Sequence, residues 1–366
     1  MIRARPRAEA PAPAYKAAMR TKGRVALAGA LGMPALAVVA HTFYWHALST
    51  RLEEGFEAWA ASRRAQGWNV AYGAPQRGGW PLAARLDVPD LWLSGGQALV
   101  PGGMAWSAPR TALRLGLLNP GELKVEPAGA QTLRAGATEI PFTADRIAIT
   151  LRIEPGVPPT DGDLEAKMLR AGLPGGGGLI VDKLHAEWQV RPAAEGEPAV
   201  SLHAEAGAIT LPAGAEAGRG LGDRLRNLVA EAVLTGPTAY APDPRRRATE
   251  WRDGGGTIEV RQLGFDWGPA GLQASATLTL DDDLQPMGAA TARITGAAEA
   301  LRALSEAGVV PPRAARMAGA ALPLMTRRGE DGTASVEVPL TLQDRTLALG
   351  RIPIARLPSW SWATPQ

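Results

Sequence analysis

Short runs in which apolar and polar residues alternate limit most strongly what this chain can fold into. The run Leu272–Leu280, LQASATLTL, places its apolar side chains at every second position. Successive side chains of a strand point to opposite faces, so this pattern predicts a strand with one covered face. Similar runs follow one another between turns rich in Gly and Pro. Their short spacing favours antiparallel meanders over βαβ units.

Further strands are predicted wherever such runs occur. They are Leu82–Leu93, Thr111–Leu117, Leu123–Glu126, Ala144–Ile153, Leu179–Val190, Ala199–Leu211, Thr257–Trp267, Ala289–Thr295, Ala334–Leu342 and Thr346–Ile354. Pro89 and Asp90 interrupt the alternation of the first of these runs, which predicts an edge or a bulge there.

Helical spacing appears in several places. Leu48, Leu52, Phe56 and Trp59 recur on one face of a helix that we expect to end near Gly67. Other predicted helices are Asp161–Ala171, Gly220–Leu234, and a hairpin of Ala297–Ala307 and Pro312–Met325. In Gly220–Leu234, one face carries Leu221, Leu225, Leu228, Val229 and Val233. Strands with one apolar face need a cover. The predicted fold class is therefore α+β, with curved, mainly antiparallel sheets packed on helices.

The segment Val25–Leu48 has no charged residue over 24 positions, and about 20 apolar residues cross a bilayer. Residues 1–24 before it carry seven basic residues and one acid, a net +6. Phe43, Tyr44 and Trp45 lie at its far end, where aromatic rings prefer the membrane interface. This pattern predicts one transmembrane helix in a bacterial inner membrane, with a cytoplasmic N-terminus and a periplasmic body. The alternative is a signal peptide cleaved after the small residues at Val38–Ala40.

The predicted organisation has five parts. Residues 1–24 form a basic cytoplasmic tail, 25–48 the anchor, 49–236 a first β-rich half with a leading helix, 237–256 a linker, and 257–366 a second β-rich half with the helical hairpin. The linker is rich in Pro and Gly. Its basic run Arg245–Arg247 is interpreted as a solvated loop, or as a contact with anionic lipid or a partner.

Charge and cysteine content exclude several classes of function. The whole chain carries +3, so residues 25–366 carry −3 once the +6 of the tail is removed. A nucleic-acid interface needs a basic face on the folded body, so none is expected. The chain has no cysteine, which excludes disulfides, zinc–thiolate sites, iron–sulfur clusters and thiol nucleophiles.

Glycine and aspartate clusters are the next candidates for a binding site. No Gly-Lys-Ser/Thr follows Gly175–Gly178, so it is not a phosphate loop. In Gly218–Gly222 the third glycine falls one place too early for a dinucleotide turn. Asp281–Asp283 follows an alternating run and is interpreted as a hairpin turn, with a calcium site as the alternative.

Four histidines are the remaining candidates for chemistry. His41 and His46 belong to the end of the apolar segment, and His185 and His203 lie on predicted strands. No helix carries a metal-binding pair such as His-x-x-x-His, and there is no Gly-x-Ser-x-Gly nucleophile motif. We therefore expect no catalytic, cofactor-binding or metal residue, no cofactor, and no enzymatic activity.

Tryptophan is unusually frequent, with eleven residues against four Phe and four Tyr. Core packing is the ordinary role, and a surface lined for lipid or ligand is the alternative. Trp80 stands between Gly78-Gly79 and Pro81-Leu82 at the start of a predicted strand. We expect Gly79 to allow the reversal and Trp80 to plug the core; a binding role for Trp80 is the alternative.

Several motifs resemble the bacterial domain-of-unknown-function 2125 family. They are a membrane span, a helix with Trp59, a Gly67-Trp68 turn, Gly78-Gly79-Trp80-Pro81, Trp106-Ser107-Ala108-Pro109, LLNPGELKVEPAGAQ, LGFDWGPAGLQASATLTLDDDLQPMGAATARITG and VPLTLQDRTLALGRIPIARLP. No catalytic residues are known for that family. The order of strands, turns and helices in the C-terminal third also resembles AsmA-like envelope proteins, which are associated with lipid transport and outer-membrane upkeep.

The expected function is accordingly a non-enzymatic role in envelope maintenance or lipid handling, with the inner membrane, lipid and envelope proteins as partners. A periplasmic scaffold without a lipid ligand and an enzyme of unrecognised type are the alternatives. For the lipid role, we expect the sheet to curve around an apolar trough that holds an acyl chain. The alternative is that the 48–66 helix or the helical hairpin fills this trough.

Overall fold

The computed structural model describes residues 15–96, 102–154, 157, 159–174, 176–191, 198–212, 219–237, 243–328, 332–350, 352–360 and 362. The side chains of residues 15–32, 34 and 35 are outside this description. Residues 1–14 of the predicted basic tail also lie outside the described residues, as do Gly175 and Gly218 of the two glycine motifs.

Four helices are present in the described chain. They are α1 (Tyr15–Ala65), α2 (Pro244–Asp253), α3 (Ala297–Glu306) and α4 (Pro312–Met325). The predicted hairpin Ala297–Met325 is confirmed. Pro312 begins α4, where proline costs no hydrogen bond because a residue in the first turn of a helix has no intrahelical acceptor for its N–H. The predicted 48–66 helix is also confirmed, as the C-terminal part of the continuous helix α1.

Nineteen strands are present in the described chain, joined by turns and loops. They are β1 (Asn69–Ala71), β2 (Gln76–Gly78), β3 (Ala83–Gly95), β4 (Met104–Gly116), β5 (Glu122–Ala128), β6 (Gln131–Ala135), β7 (Thr138–Thr143), β8 (Arg146–Arg152), β9 (Asp161–Gly172), β10 (Gly178–Val190), β11 (Pro198–Thr210), β12 (Arg224–Thr235), β13 (Ile258–Trp267), β14 (Ala270–Leu280), β15 (Pro286–Thr295), β16 (Thr326–Arg328), β17 (Ala334–Gln343), β18 (Thr346–Leu349) and β19 (Ile352–Arg356).

All the strand pairs are antiparallel, and they join into one long sheet. Its main order is β3-β4-β5-β8-β9-β10-β11-β12-β13-β14-β15-β17-β18-β19. Strands β6 and β7 form a second bridge from β4 to β9, while β1 and β2 pair with β3. The register shifts at four of these pairings, and such bulges bend strands. The predicted α+β class with a mainly antiparallel sheet is confirmed.

Helix α1 packs across the start of the sheet and forms its largest core there. Leu48, Leu52, Phe56 and Ala60 are buried against β1, β3 and β4. The docked part of the helix begins well before Leu48. Trp45 packs against the same core and donates a hydrogen bond to the Ala83 carbonyl at 2.8 Å. Trp45 therefore does not lie free for a membrane interface, contrary to the prediction for this one of the three aromatic residues, whereas Phe43 is exposed.

No helix in the described part of the chain is long and apolar enough to cross a membrane. The predicted anchor Val25–Leu48 lies within α1, but the side chains of 25–32, 34 and 35 are outside the description. The transmembrane anchor is therefore not supported by the structure and stays a prediction.

Two predicted helices are wrong. Asp161–Ala171 belongs to strand β9, and Gly220–Leu234 overlaps nearly all of strand β12. Leu225, Val229 and Val233 are four residues apart, a spacing that returns to one face of a strand as well as to one face of a helix. Pairing with neighbours on both sides, which a single sequence does not reveal, decides the conformation of both segments.

The predicted linker 237–256 contains helix α2, so the interpretation of Arg245–Arg247 as a loop is wrong. Asp243 caps the helix by accepting a hydrogen bond from the Arg245 N–H, and Pro244 follows at the first helical position. Strands β12 and β13 on either side of α2 pair with each other. The division into two β-rich halves stays a prediction.

Candidate functional site

One face of the sheet is apolar from β3 to β18, and we call it the apolar face. Cross-strand partners share a face in an antiparallel sheet, so the register can be followed from strand to strand. One such row runs Ala84, Leu115, Leu123, Leu151, Gly162, Trp188, Leu202, Ala232, Val260, Ala276, Ala290, Leu340 and Leu349. A neighbouring row runs Leu164, Ala186, Ala204, Ala230, Leu263, Ala274, Ala292 and Val338.

The opposite face, which we call the polar face, carries charged and hydroxyl side chains over the same strands. Its central row runs Lys124, Thr150, Asp163, Glu187, His203 and Glu231. Along β10 and β11 the polar-face residues Glu187, Gln189 and Glu205 are exposed, whereas Ala186 and Ala204 of the apolar face are partly covered. The chain therefore turns its polar face to water.

Helices cover the two ends of the apolar face. Leu48, Leu52 and Phe56 of α1 lie over the apolar face of β3 and β4, where Leu86 is fully buried. At the far end, α3 contacts β14 and α4 contacts β17, and the apolar-face residues Val336 and Val338 are buried. The two predicted covers of the trough, the 48–66 helix and the hairpin, thus lie at opposite ends of the sheet.

Strands β9 to β13 lie between these covers. Among the described residues, no helix makes an extensive contact with them. Leu202 is 42% exposed, and Val190 and Ile258 are also exposed. Leu164, Leu184 and Leu228 are only partly buried. The middle of the apolar face is therefore a strip of partly exposed aliphatic side chains.

Trp188 is the largest side chain of this strip. Its indole ring lies over Gly162, its partner on β9, so closely that a β-carbon at residue 162 would overlap the ring. Trp68 and Trp106 instead pack against the α1 core, and the indole N–H of Trp106 donates to Gln131 Oε1 at 3.2 Å. These three tryptophans therefore divide between core packing and the open strip.

The predicted role of Trp80 as a core plug is wrong, because 54% of this residue is exposed. Gly79 does make the predicted reversal, with φ at +92°. The turn then carries Trp80 outward beside Leu82, which is even more exposed. The Trp80 side chain is not needed in the core, because side chains of α1 already fill it at this end of the sheet.

Other exposed apolar residues lie beside Trp80. His41 Nε2 lies 2.7 Å from the Pro81 carbonyl oxygen, and the Tyr44 hydroxyl donates to the Leu117 carbonyl at 3.2 Å. These two bonds hold the turns after Gly79 and Leu117 against the same part of α1. Phe43, Trp80, Leu82 and Leu118 are exposed there, and together we call them the apolar rim.

The polar face brings together two copies of one tetrapeptide, Leu184–Glu187 and Leu202–Glu205, both Leu-His-Ala-Glu. We call them the LHAE pair. They run antiparallel on β10 and β11, so His185 lies opposite Glu205 and Glu187 lies opposite His203. Asp163 on β9 lies opposite Glu187. His185 Nε2 is 2.5 Å from Asp163 Oδ2 and 3.5 Å from Glu187 Oε1.

Sequence analysis noted His185 and His203 but missed this cluster. Asp163 lies in the segment predicted as a helix, and the sequence prediction uses helical spacing for metal pairs, which does not place Asp163 beside His185. The signal that could have found the cluster is the repeated tetrapeptide, because His and Glu two positions apart share one face of a strand. An open depression of about 500 Å³ over the polar face is lined by Asp163, Glu187, His203 and Glu231 among others.

The predicted hairpin turn at Asp281–Asp283 joins β14 to β15. Asp281 Oδ1 accepts hydrogen bonds from the N–H groups of Asp283 and Gln285 at 3.0 and 2.7 Å. The carboxylate is thus used to stabilise the turn. Of the other glycine motif, Gly220 and Gly222 lie in the turn before β12, both with positive φ.

Comparison with known proteins gives one match. The family model described as an uncharacterized protein conserved in bacteria (DUF2125) matches residues 45–358. No curated protein and no solved structure matches. The match begins where α1 docks at Trp45 and covers all nineteen strands described above. It therefore covers most of the chain, and the protein belongs to the family of uncharacterized proteins conserved in bacteria, DUF2125.

Proposed function

We propose that this protein is a non-enzymatic, membrane-attached protein of the bacterial envelope that shelters a lipid acyl chain on the apolar face of its sheet. The observation that carries the proposal is the open aliphatic strip on β9 to β13, between the covers provided by α1 and the α3–α4 hairpin. Aliphatic groups gain free energy on leaving water in proportion to the area removed.

The dimensions of the strip fit one acyl chain. From β9 to β13 there are four strand intervals, or about 19 Å at ~4.8 Å each. One leaflet of a bilayer has a hydrocarbon thickness of about 15 Å, half of the ~30 Å core. Ten methylenes removed from water would contribute about 8 kcal/mol before the costs of ordering the chain.

Membrane attachment is supported by α1 and the apolar rim. Ahead of its docked part, α1 exposes Met33, Leu36, Val38 and Val39, within the charge-free segment 25–48. The rim residues Phe43, Trp80, Leu82 and Leu118 lie directly beyond, where the helix meets the body. Trp with aliphatic neighbours suits the interface of a bilayer. This arrangement would hold one end of the sheet at the membrane surface.

The experiment compares two neighbouring residues that receive the same new charge. Leu202 lies on the apolar face and Ser201 on the polar face of β11. Leu202→Asp places a carboxylate in the strip, whereas Ser201→Asp places it toward water. Full-length wild type and both variants are extracted in mild detergent, and native mass spectrometry measures the fraction of protein that carries lipid.

We expect lipid on the wild type and on Ser201→Asp, and at least a tenfold smaller lipid-bound fraction for Leu202→Asp. Circular dichroism must show that all three retain the same sheet content. A folded wild type without lipid, or equal lipid on both variants, would remove the proposal and favour the scaffold. Enzymatic activity is a separate class, and the described residues supply no observation that favours it.

A further inference from the structure

We propose that the LHAE pair and Asp163 form a binding site for a divalent transition-metal ion such as Zn²⁺ on the polar face. His185, Asp163 and Glu187 are its ligands, and His203 completes it. This inference concerns the opposite face from the lipid strip and does not rest on the proposed function.

The three ligand residues converge without a change of backbone. His185 and Glu187 are two positions apart on β10 and share a face, while Asp163 lies opposite Glu187 on β9. One potential ligand atom from each of the three lies within 4.8 Å of the others. A tetrahedral Zn²⁺ ion with bonds of about 2.0–2.1 Å separates its ligand atoms by about 3.3 Å. The distance of 3.5 Å from His185 Nε2 to Glu187 Oε1 already fits this geometry.

The contact between His185 and Asp163 is closer, at 2.5 Å. It is the separation of a hydrogen bond and must open by about 0.8 Å to admit the ion. Asp163 and His185 are 34% and 39% exposed as side chains. Both therefore have room for this small movement at the surface of the sheet.

His203 provides the fourth ligand. It lies opposite Glu187 on β11, and its Nε2 is now 3.1 Å from Glu205 Oε1 on its own strand. Rotation of the imidazole toward Glu187 brings it over the depression that Asp163, Glu187 and His203 line together. Imidazole and carboxylate ligands in this number suit Zn²⁺ and related borderline ions.

The charge around the cluster favours a cation. Five carboxylates belong to adjoining positions of the polar face: Asp163, Glu165, Glu187, Glu205 and Glu231. Arg261 pairs with Glu231 at 3.4 Å. The five carboxylates and Arg261 together carry a net charge of −4 when both imidazoles are neutral. Lys167 and Lys183 occupy the next row, but in the described chain no ion pair joins either lysine to these carboxylates. A divalent ion would offset half of this charge.

The test uses Zn²⁺ alone and the full-length protein in detergent, stripped of metal by a chelator. Isothermal titration calorimetry measures the Kd and the stoichiometry for the wild type, for His185→Gln and for His46→Gln. His46 lies exposed on α1, far along the chain from the cluster, and is the matched control. Glutamine keeps a similar size and polarity but is a poor zinc ligand.

We expect one Zn²⁺ per chain for the wild type and for His46→Gln, and a Kd at least tenfold weaker for His185→Gln. His203→Gln should weaken binding by a smaller factor, because the His203 imidazole must first rotate away from Glu205 to reach the ion, whereas His185 already contacts Asp163 and Glu187. Saturating Mg²⁺ should not displace the zinc, since Mg²⁺ prefers oxygen ligands in octahedral geometry.

Two results would overturn the site. One is the absence of stoichiometric Zn²⁺ binding by the folded wild type. The other is an equal Kd for His185→Gln and His46→Gln, which would assign the zinc to a different place on the chain. Circular dichroism of each variant must match that of the wild type, so that weaker zinc binding is not caused by unfolding.

Discussion

The indole of Trp188 on β10 occupies the space above Gly162, its directly paired neighbour on β9. Glycine at this position leaves the ring free to lie across the neighbouring strand instead of standing upright from the sheet. Trp188 thereby forms part of the floor of the open strip beside Leu202, its partner on β11. Strand interiors rarely use glycine except where another group approaches closely, and here that group is the ring.

Gly162→Ala should therefore disturb both packing and the strip. The new methyl group would overlap the indole, and overpacking of this kind costs about 1–3 kcal/mol. We expect a lower denaturant midpoint and a shifted tryptophan emission. Gly207→Ala on β11 is the control, since a β-carbon there meets only Lys183 Cβ at 4.0 Å. Equal losses for both variants would mean that general strand propensity, and not the ring, is responsible.

Thr111 on β4 is fully buried, and its hydroxyl has no hydrogen-bond partner among the described residues. An unsatisfied buried hydroxyl costs about 1–3 kcal/mol. Thr111→Val keeps the shape of the side chain and removes that cost, so the free energy of unfolding should rise by about 1 kcal/mol. Chemical denaturation measures the change. Thr150→Val, on the partly exposed polar face of β8, should leave stability nearly unchanged. A loss of stability for Thr111→Val would indicate that the hydroxyl is hydrogen-bonded.

The local parts of the fold could be predicted from the sequence, because their signals are short. Leu272–Leu280 alternates and is a strand; Pro312 begins a helix and is found at its start. Asp161–Gly172 could not be assigned in this way. Its Leu, Glu, Ala, Lys and Met residues all favour helix, but hydrogen bonds to β8 and β10 on both sides make it a strand.

The candidate sites required the strand register. An alternating strand shows that an apolar face exists, but only the pairing shows that Trp188, Leu202 and Ala232 continue one another across three strands. The same holds for the LHAE pair, in which each His meets a Glu of the other strand. For Trp80, the sequence predicts the turn at Gly79 correctly but not the direction of the ring. That direction depends on tertiary packing, because α1 fills the core at this end of the sheet.

Trp80 and Trp106 should respond differently to truncation. Trp106 packs against the α1 core and is hydrogen-bonded to Gln131, so Trp106→Ala should cost about 3–5 kcal/mol. Trp80 is 54% exposed, and Trp80→Ala should change the free energy of unfolding by no more than about 0.5 kcal/mol. Urea denaturation compares the two. A large loss for Trp80→Ala would restore its predicted role as a core plug.

The membrane topology can be tested apart from the lipid. The segment 25–48 has no charge and follows a tail of net +6, so the body should be exported while the N-terminus stays in the cytoplasm. A reporter active only in the periplasm, fused after Gln366, should give signal, and the protein should stay in the membrane fraction after a carbonate wash. Cleavage of the segment would instead release a shorter, soluble body.

Replacing the tail's Arg and Lys residues with Gln should reduce export in the predicted orientation. As a control, Arg245→Gln and Arg246→Gln on α2 change basic residues within the body and should leave the topology unchanged. Signal from a reporter active only in the cytoplasm at Gln366 would contradict the predicted orientation.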